Sequence, residues 1–360
     1  MKTAIVLFNL GGPDSLDAVK PFLYNLFSDK AIIAAPTPIR QMLAALISSR
    51  RAPIARDIYS QMGGSSPILP ETEKQAEVLG KFLKDSRGFA ESKVFIAMRY
   101  WHPFVEEAIV KVEKYEPDQI ILLPLYPQFS TTTTGSSFNS WWKGTTKTDL
   151  ADIPTYTICC YPSESGLINA QVDLIESAIK SSKITNFRLL LSAHGLPKKI
   201  IEKGDPYQKQ IEKTAAIIAE KINYPNLDWR VSYQSRVGPL EWIGPSTETE
   251  ISNAGIEKKS LIVAPVAFVS EHSETLVELD IEYRELADES GVPEYIRVPA
   301  VSTHPSFISG LTDILEKTIT SIGQEKIREK RGPGGVKLFC PFCPYKHQGC
   351  VSIHDKMTND

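Results

Sequence analysis

Short apolar runs rich in β-branched residues alternate with longer segments of helical periodicity along most of this 360-residue chain. The predicted strands cover residues 4–8, 94–97, 120–125, 155–160, 188–192, 230–233, 261–264 and 295–298. The predicted helices lie near 15–27, 70–85, 104–115, 165–181, 206–222, 246–257, 272–288 and 305–321. Strands that are apolar throughout are buried on both faces, which is typical of a parallel sheet with helices on either side. We therefore predict an α/β fold with doubly wound parallel sheets.

Two pairs of segments indicate an internal repeat. Residues 4–13 and 188–197 align without gaps as a strand that ends in a Gly-x-Pro turn, which sets Leu10 against His194. A second pair aligns 122–125 with 263–266, and the first half carries about 43 extra residues between its two markers. We predict two similar Rossmann-like domains, at 1–160 and 161–330, followed by a tail at 331–360. The extra residues predict an insertion in the first domain near 30–70.

The predicted insertion contains an amphipathic helix at 39–47. Its apolar side chains recur at helical spacing: Ile39, Met42, Leu43, Leu46 and Ile47. Arginines flank this stripe on both sides. One interpretation is a helix packed on its own core. The other is an exposed apolar lip with basic flanks, suited to a membrane surface or to a flat apolar ligand.

Charge and cysteine content narrow the class of protein. The net charge is −3, so no strongly basic face is expected and we predict no nucleic-acid partner. No apolar run approaches the roughly 18 to 20 residues that span a bilayer. A strand begins at the third residue, which leaves no room for a signal peptide, and we expect a cytoplasmic protein. The cysteines are odd in number, so a metal or redox site is favoured over a disulfide framework: Cys159, Cys160, Cys340, Cys343 and Cys350.

Candidate chemistry follows the carboxyl ends of the predicted strands, where parallel sheets bind ligands. His194 follows one strand, and Glu271 and His272 follow another. Three carboxylates then come four residues apart, a spacing that predicts one helical face: Glu274, Glu278 and Glu282. A row of oxygen ligands suits a divalent cation. The alternatives are that His194 is a structural histidine and that the three glutamates form a solvated acidic face. The glycine-rich loops of dinucleotide and triphosphate sites are absent from the sequence.

Motifs in a fixed order carry a resemblance to a known family. They lie at 9–13, 64–68, 99–103, 126–130, 192–197, 204–207, 234–238, 242 and 271–276. They include Arg99-Tyr-Trp-His-Pro103, Ser192-Ala-His-Gly-Leu-Pro197 and Glu271-His-Ser-Glu-Thr-Leu276. In this respect the chain resembles ferrochelatases, which insert Fe²⁺ into a porphyrin. The resemblance covers about residues 3–320 and implies two domains of the chelatase type.

The resemblance implies roles for individual residues. His194 and Glu274 face the porphyrin centre, where they take up pyrrole protons and handle iron. With Glu278 and Glu282 they form the implied metal set. The implied porphyrin-binding set is Leu10, Arg51, Tyr59, Ser66, Arg99, Tyr100, Tyr126 and Trp242. The implied reaction makes protohaem from Fe²⁺ and protoporphyrin IX, with coproporphyrin or another tetrapyrrole as the alternative.

The resemblance also implies a cofactor and partners. Cys340, Cys343 and Cys350 resemble ligands of a [2Fe–2S] cluster, with Cys159 or Cys160 as the fourth. The alternative is Zn²⁺ held by the three tail cysteines and a histidine. Porphyrin and ferrous iron are the implied substrates. The 39–47 lip would make the protein peripheral to the inner membrane, and a homodimer is one of the oligomeric states left open.

Overall fold

The computed structural model describes residues 1–324 except 87, 183 and 237. The chain divides into two compact units. The first comprises Met1–Tyr161 and the segment that begins at Leu311, and the second is Pro162–Gly310. Each unit contains one four-stranded sheet.

Both sheets are parallel and share one strand order. The first consists of β1 (Thr3–Asn9), β2 (Ser92–Met98), β3 (Gln119–Pro124) and β4 (Thr155–Thr157), in the order β2-β1-β3-β4. The second consists of β5 (Phe187–His194), β6 (Trp229–Gln234), β7 (Ser260–Pro265) and β8 (Tyr295–Arg297), in the order β6-β5-β7-β8. The predicted α/β fold with two similar doubly wound parallel sheets is confirmed.

Helices connect the strands throughout. In the first half they are α1 (Val19–Phe27), α2 (Thr37–Gln61), α3 (Ile68–Lys84), α4 (Val105–Tyr115) and α5 (Thr134–Thr145), with a 3₁₀ turn at Asp149–Asp152. The second half begins with α6 (Ser165–Ser182), α7 (Lys198–Glu202), α8 (Tyr207–Lys221) and α9 (Thr247–Ile256). It continues with a π-helix (Glu274–Glu282), α10 (Tyr283–Glu289) and α11 (Pro305–Gln324).

The internal repeat corresponds to equivalent positions in the two sheets. The Leu125 N–H donates to the Phe8 carbonyl at 2.8 Å, and the Val266 N–H donates to the Ser192 carbonyl at 2.9 Å. Phe8 and Ser192 are also matched residues of the gapless sequence alignment. The central strands β1 and β5 therefore repeat in register as well as in order.

The central strands form the cores because both of their faces are covered. All seven residues of β1 are buried, and so are all six of β3. Phe8 packs edge-on against Phe138 of α5, with ring centroids 5.6 Å apart. This double burial explains why the strands read as continuous apolar runs instead of alternating ones.

The structure differs from the sequence-based expectation at three places, one shortened strand and two additional helices. The strand predicted at 155–160 ends at Thr157, because the chain then turns so that the Tyr161 N–H donates to the Pro127 carbonyl at 2.7 Å. The helices α5 and α7 were not predicted. In α5 the apolar periodicity is masked by a first turn made of threonine, glycine and serine.

The predicted 39–47 helix is part of the longer α2, and three members of its apolar stripe are exposed, whereas Leu43 and Ile47 are partly buried. Ile39 is 49% exposed and Met42 is 65% exposed. The buried face of α2 instead carries small side chains at four-residue spacing, Ala44, Ser48 and Ala52. The exposed side chains are compatible with the apolar lip, which stays a prediction.

Candidate active site

His194 closes strand β5 and lies beside Glu274. The His194 Nδ1 atom is 2.9 Å from Glu274 Oε2, and the two side chains are 36% and 23% exposed. Gly195 lets the chain turn at this point, because a Cβ atom there would lie 2.9 Å from the Gln234 carbonyl oxygen. The structure therefore brings together the two residues predicted to be catalytic.

The two groups shift each other's pKa toward the charged forms. Burial alone lowers the pKa of His194, but the Glu274 carboxylate, aided by Glu278, outweighs burial and raises it. Burial alone raises the pKa of Glu274, but His194 and His272 outweigh it and hold this pKa well below its usual range. His272 Nε2 lies 3.8 Å from Glu274 Oε2. The pair can therefore hold a proton between an imidazole and a carboxylate.

The three carboxylates predicted on one α-helical face lie instead on the π-helix. In a π-helix the N–H of residue i+5 donates to the carbonyl of residue i, as the Tyr283 N–H does to Glu278, and such segments occur frequently at functional sites. The Glu278 carboxylate accepts hydrogen bonds from the Gln234 amide at 3.0 Å, the Ser235 N–H at 2.7 Å and the Tyr283 hydroxyl at 3.1 Å. The Ser235 hydroxyl donates to it as well. Burial and the nearby Glu274 raise the pKa of Glu278.

The implied metal set does not converge on one point. Within residues 1–324, apart from the three that are not described, no three or more His, Cys, Asp or Glu side chains are arranged to hold a metal ion. Glu278 is directed to protein donors, and burial with the neighbouring Glu285 raises the pKa of Glu282. The pair of His194 and Glu274 is the part of the set that the structure joins.

In the first unit, Arg99 and Tyr100 follow β2 and share one carboxylate. Arg99 Nη2 lies 2.7 Å and the Tyr100 hydroxyl 2.9 Å from Asp29 Oδ2. The sequence reasoning missed Asp29, which lies in a polar turn after α1 and belongs to no motif. Its partners Arg99 and Tyr100 lie about 70 positions away along the chain, so no local pattern marks it.

The other implied porphyrin-binding residues occupy several environments. Leu10, Tyr59 and Tyr100 belong to one apolar cluster. Ser66 lies against Gly12 in the turn after β1, since a Cβ atom at Gly12 would meet the Ser66 hydroxyl. Arg51 is exposed, and its guanidinium carbon lies 5.9 Å from the centroid of the Phe27 ring. The Tyr126 hydroxyl is buried, and burial raises its pKa. Trp242 forms a backbone bridge with Pro197 in the second unit.

The two internal cysteines are buried in the first unit. Cys159 and Cys160 are each 1% exposed, and their sulfur atoms are 3.7 Å apart. Both belong to the core cluster that contains Phe129. The predicted tail ligands Cys340, Cys343 and Cys350 lie outside the described residues.

Of the helices that the structure describes, none is both long enough and apolar enough to cross a membrane.

Comparisons with known proteins agree with the motifs. A family model described as Ferrochelatase matches residues 2–319. The ferrochelatase of Caulobacter vibrioides is 56% identical over 340 residues, which cover 94% of each chain. The ferrochelatase of Pelagibacter ubique is 51% identical over 98% of this chain and 99% of its own.

The fold also has a solved counterpart. A structure of SirB from Bacillus subtilis with Fe³⁺ superposes with a TM-score of 0.52. The match covers 90% of this chain and 98% of SirB, and at 12% identity it supports the fold alone. The resemblance found in the sequence is confirmed by the family match, and the chain belongs to the ferrochelatase family.

Proposed function

We propose that this chain is an enzyme that inserts Fe²⁺ into a porphyrin, and that the porphyrin is protoporphyrin IX. The observation that carries the proposal is the contact between His194 and Glu274 at the carboxyl end of β5, in a chain of the ferrochelatase family. Ligands of open parallel sheets bind at that end of the strands.

The proposed chemistry needs a proton acceptor and a group that can bind Fe²⁺, both close to the centre of the porphyrin. Metallation removes two N–H protons from the macrocycle and strips water from the iron. Neutral His194 can accept a pyrrole proton, because the Glu274 carboxylate stabilises the imidazolium that forms. His194 then has to release this proton to solvent before it accepts the second one. Nitrogen and oxygen donors also suit a borderline cation such as Fe²⁺.

The exposed stripe on α2 supports an apolar ring as the substrate. Leu46 and Ile54 are 46% and 67% exposed, in addition to Ile39 and Met42. Such a surface favours a porphyrin with few carboxylates. Coproporphyrin, which carries more of them, is the second candidate.

An anaerobic assay with purified protein tests this function. We expect Fe²⁺ to enter protoporphyrin IX with a higher kcat/KM than coproporphyrin, measured by loss of porphyrin fluorescence. A preference for coproporphyrin would reverse the substrate assignment. Binding of porphyrin without metallation would overturn the enzymatic one.

The same stripe supports binding to a membrane surface, for which Arg40, Arg50 and Arg51 supply flanking positive charge. We expect Met42→Gln to weaken co-sedimentation of the protein with vesicles of anionic phospholipid. Ile256, 80% exposed on α9, offers a matched control as Ile256→Gln. Equal loss in both variants, or no binding by the unmodified chain, would contradict this role.

A [2Fe–2S] cluster is the cofactor that the cysteines favour, since four thiolates are its usual ligands. The hydrogen bond from Tyr161 to Pro127 draws the segment of Cys159 and Cys160 beside the loop after β3. In the family pattern the internal ligand lies in that loop, where this chain has Thr131. Either buried thiol would serve as the fourth ligand, and no step of metallation is assigned to the cluster.

The homodimer stays a prediction.

A further inference from the structure

The turn between α1 and α2 places one carboxylate at the junction of three segments. Asp29 Oδ2 accepts hydrogen bonds from Arg99 Nη2 at 2.7 Å, from the Tyr100 hydroxyl at 2.9 Å and from the Ser136 hydroxyl. Asp29 Oδ1 accepts one from the Ala31 N–H at 2.9 Å. Asp29 is separated from Arg99 by 70 positions and from Ser136 by 107. Both carboxylate oxygens are therefore engaged.

These contacts fix the plane of the Arg99 guanidinium. Its Nε donates to the Ser136 hydroxyl at 2.7 Å, and its Nη2 is held by Asp29. The guanidinium carbon also lies 4.9 Å from the centre of the Tyr100 ring. The Arg99 side chain is still 22% exposed, so these contacts leave part of it accessible to a ligand.

The Asp29 carboxylate is charged in this arrangement. Burial alone would raise the pKa of Asp29, but Arg99 and the donated hydrogen bonds outweigh burial and lower it. The negative charge offsets that of Arg99, while the directed N–H groups of the guanidinium remain. The surface formed by Arg99 and Asp29 is therefore nearly neutral and rigid. Such a surface suits the face or edge of an apolar macrocycle better than an unpaired arginine would.

We propose that Asp29 is a positioning residue for porphyrin binding, which acts by orienting Arg99. This inference rests on the proposed function, in which Arg99 and Tyr100 contact the porphyrin. An asparagine at position 29 fits the space but cannot serve all the donors, because its NH₂ group must face either Ala31 or the three donors to Oδ2. The variant Asp29→Asn therefore separates charge and orientation from side-chain size.

The test measures the Kd for protoporphyrin IX without iron, from quenching of porphyrin fluorescence, together with kcat and KM for metallation. We expect Asp29→Asn to raise Kd and KM about tenfold while kcat changes less. In Asp85→Asn, which neutralises an exposed carboxylate of the same unit, we expect both constants to be unchanged. The melting temperature of each variant shows which losses come from unfolding.

A double mutant shows whether Asp29 acts through Arg99. If it does, Asp29→Asn combined with Arg99→Gln raises Kd by about the same factor as Arg99→Gln alone. Independent, multiplying effects would overturn the positioning role, and so would a lower melting temperature with an unchanged Kd. If Asp29→Asn does not fold, Ser136→Ala removes the bridging hydroxyl and keeps both charges, with an expected rise in Kd of about threefold. An unchanged Kd in folded Ser136→Ala would then count against the inference.

The comparison also separates the two proposals. Failure of the unmodified chain to bind or metallate porphyrin would refute the proposed function. Normal binding by both the unmodified chain and folded Asp29→Asn would refute only the role of Asp29.

Discussion

The imidazole of His194 and the carboxylate of Glu274 come from positions 80 residues apart and meet within 2.9 Å. Neither group alone would favour its charged form at a buried site, because burial acts against charge on both. Their contact outweighs burial, because it raises the pKa of His194 and lowers the pKa of Glu274. The proposed proton-accepting unit is therefore the pair.

Substitution of the imidazole tests this unit directly. We expect His194→Ala to lower kcat by about 10²-fold or more, because the variant loses the proposed proton acceptor beside Glu274. The side chain is 36% exposed, so the far-UV circular dichroism spectrum should stay unchanged. His304→Ala in the same unit is the control, and its turnover should match that of the unmodified chain. Near-normal turnover of His194→Ala would contradict the assigned role.

Single residues differ in how far sequence can predict their roles. His194 could be predicted because it follows an apolar strand at the turn where ligands bind. Asp29 could not, because its partners Arg99 and Ser136 lie far along the chain and no local pattern links them. A carboxylate in a polar turn ordinarily indicates solvent exposure. Only the folded chain shows that this one is buried among donors.

Among the helices, the π-helix differs most from its prediction. The apolar and acidic spacing indicated a helix at 272–288, and a helical segment does run from Glu274 through α10. The winding depends on contacts that the spacing does not contain. Gln234, for example, donates both to the Glu274 carbonyl at 3.1 Å and to the Glu278 carboxylate at 3.0 Å. Local sequence therefore predicts a helix here, and the neighbouring strand β6 helps to determine its form.

The Glu278 carboxylate should anchor this helix. In Glu278→Gln an NH₂ group would face N–H and O–H donors from Gln234, Ser235 and Tyr283, a mismatch that costs about 1–3 kcal/mol. Relief of the repulsion from Glu274 offsets part of this cost. We expect the melting temperature to fall by about 2–8 °C.

Thermal denaturation followed by circular dichroism measures this effect. Glu220→Gln, at an exposed position of α8, is the matched control and should melt like the unmodified chain. Equal melting temperatures for all three proteins would mean that the four donors do not anchor the helix.

For the fold, the internal repeat is the most informative sequence signal. It predicted two parallel sheets from about ten residues per copy, because buried central strands retain their apolar character and their turn. It could not indicate that the segment from Leu311 groups with the first unit, since α11 has no marked partner in the repeat. The lip was open to two interpretations, and the small residues on its buried face became informative only in the structure.

The cysteines give a prediction for the complete chain. After anaerobic purification we expect visible absorption and labile sulfide, both lost in Cys343→Ser. Cys159→Ser and Cys160→Ser, made separately, should identify the fourth ligand, because only one of them should lose the cluster. Stoichiometric zinc without sulfide would support the alternative site. Retention of the cluster in both serine variants would exclude each thiol as the sole fourth ligand.

The shared register of β1 and β5 gives Leu10 and His194 equivalent backbone positions, two residues beyond the matched carbonyls of Phe8 and Ser192. The same strand position thus carries an apolar leucine in the first half and a titratable imidazole in the second. The two halves therefore differ in the side chain that they carry at this matched position. Exchange of these two side chains would show whether reactivity belongs to the position or to the surroundings that each half has acquired.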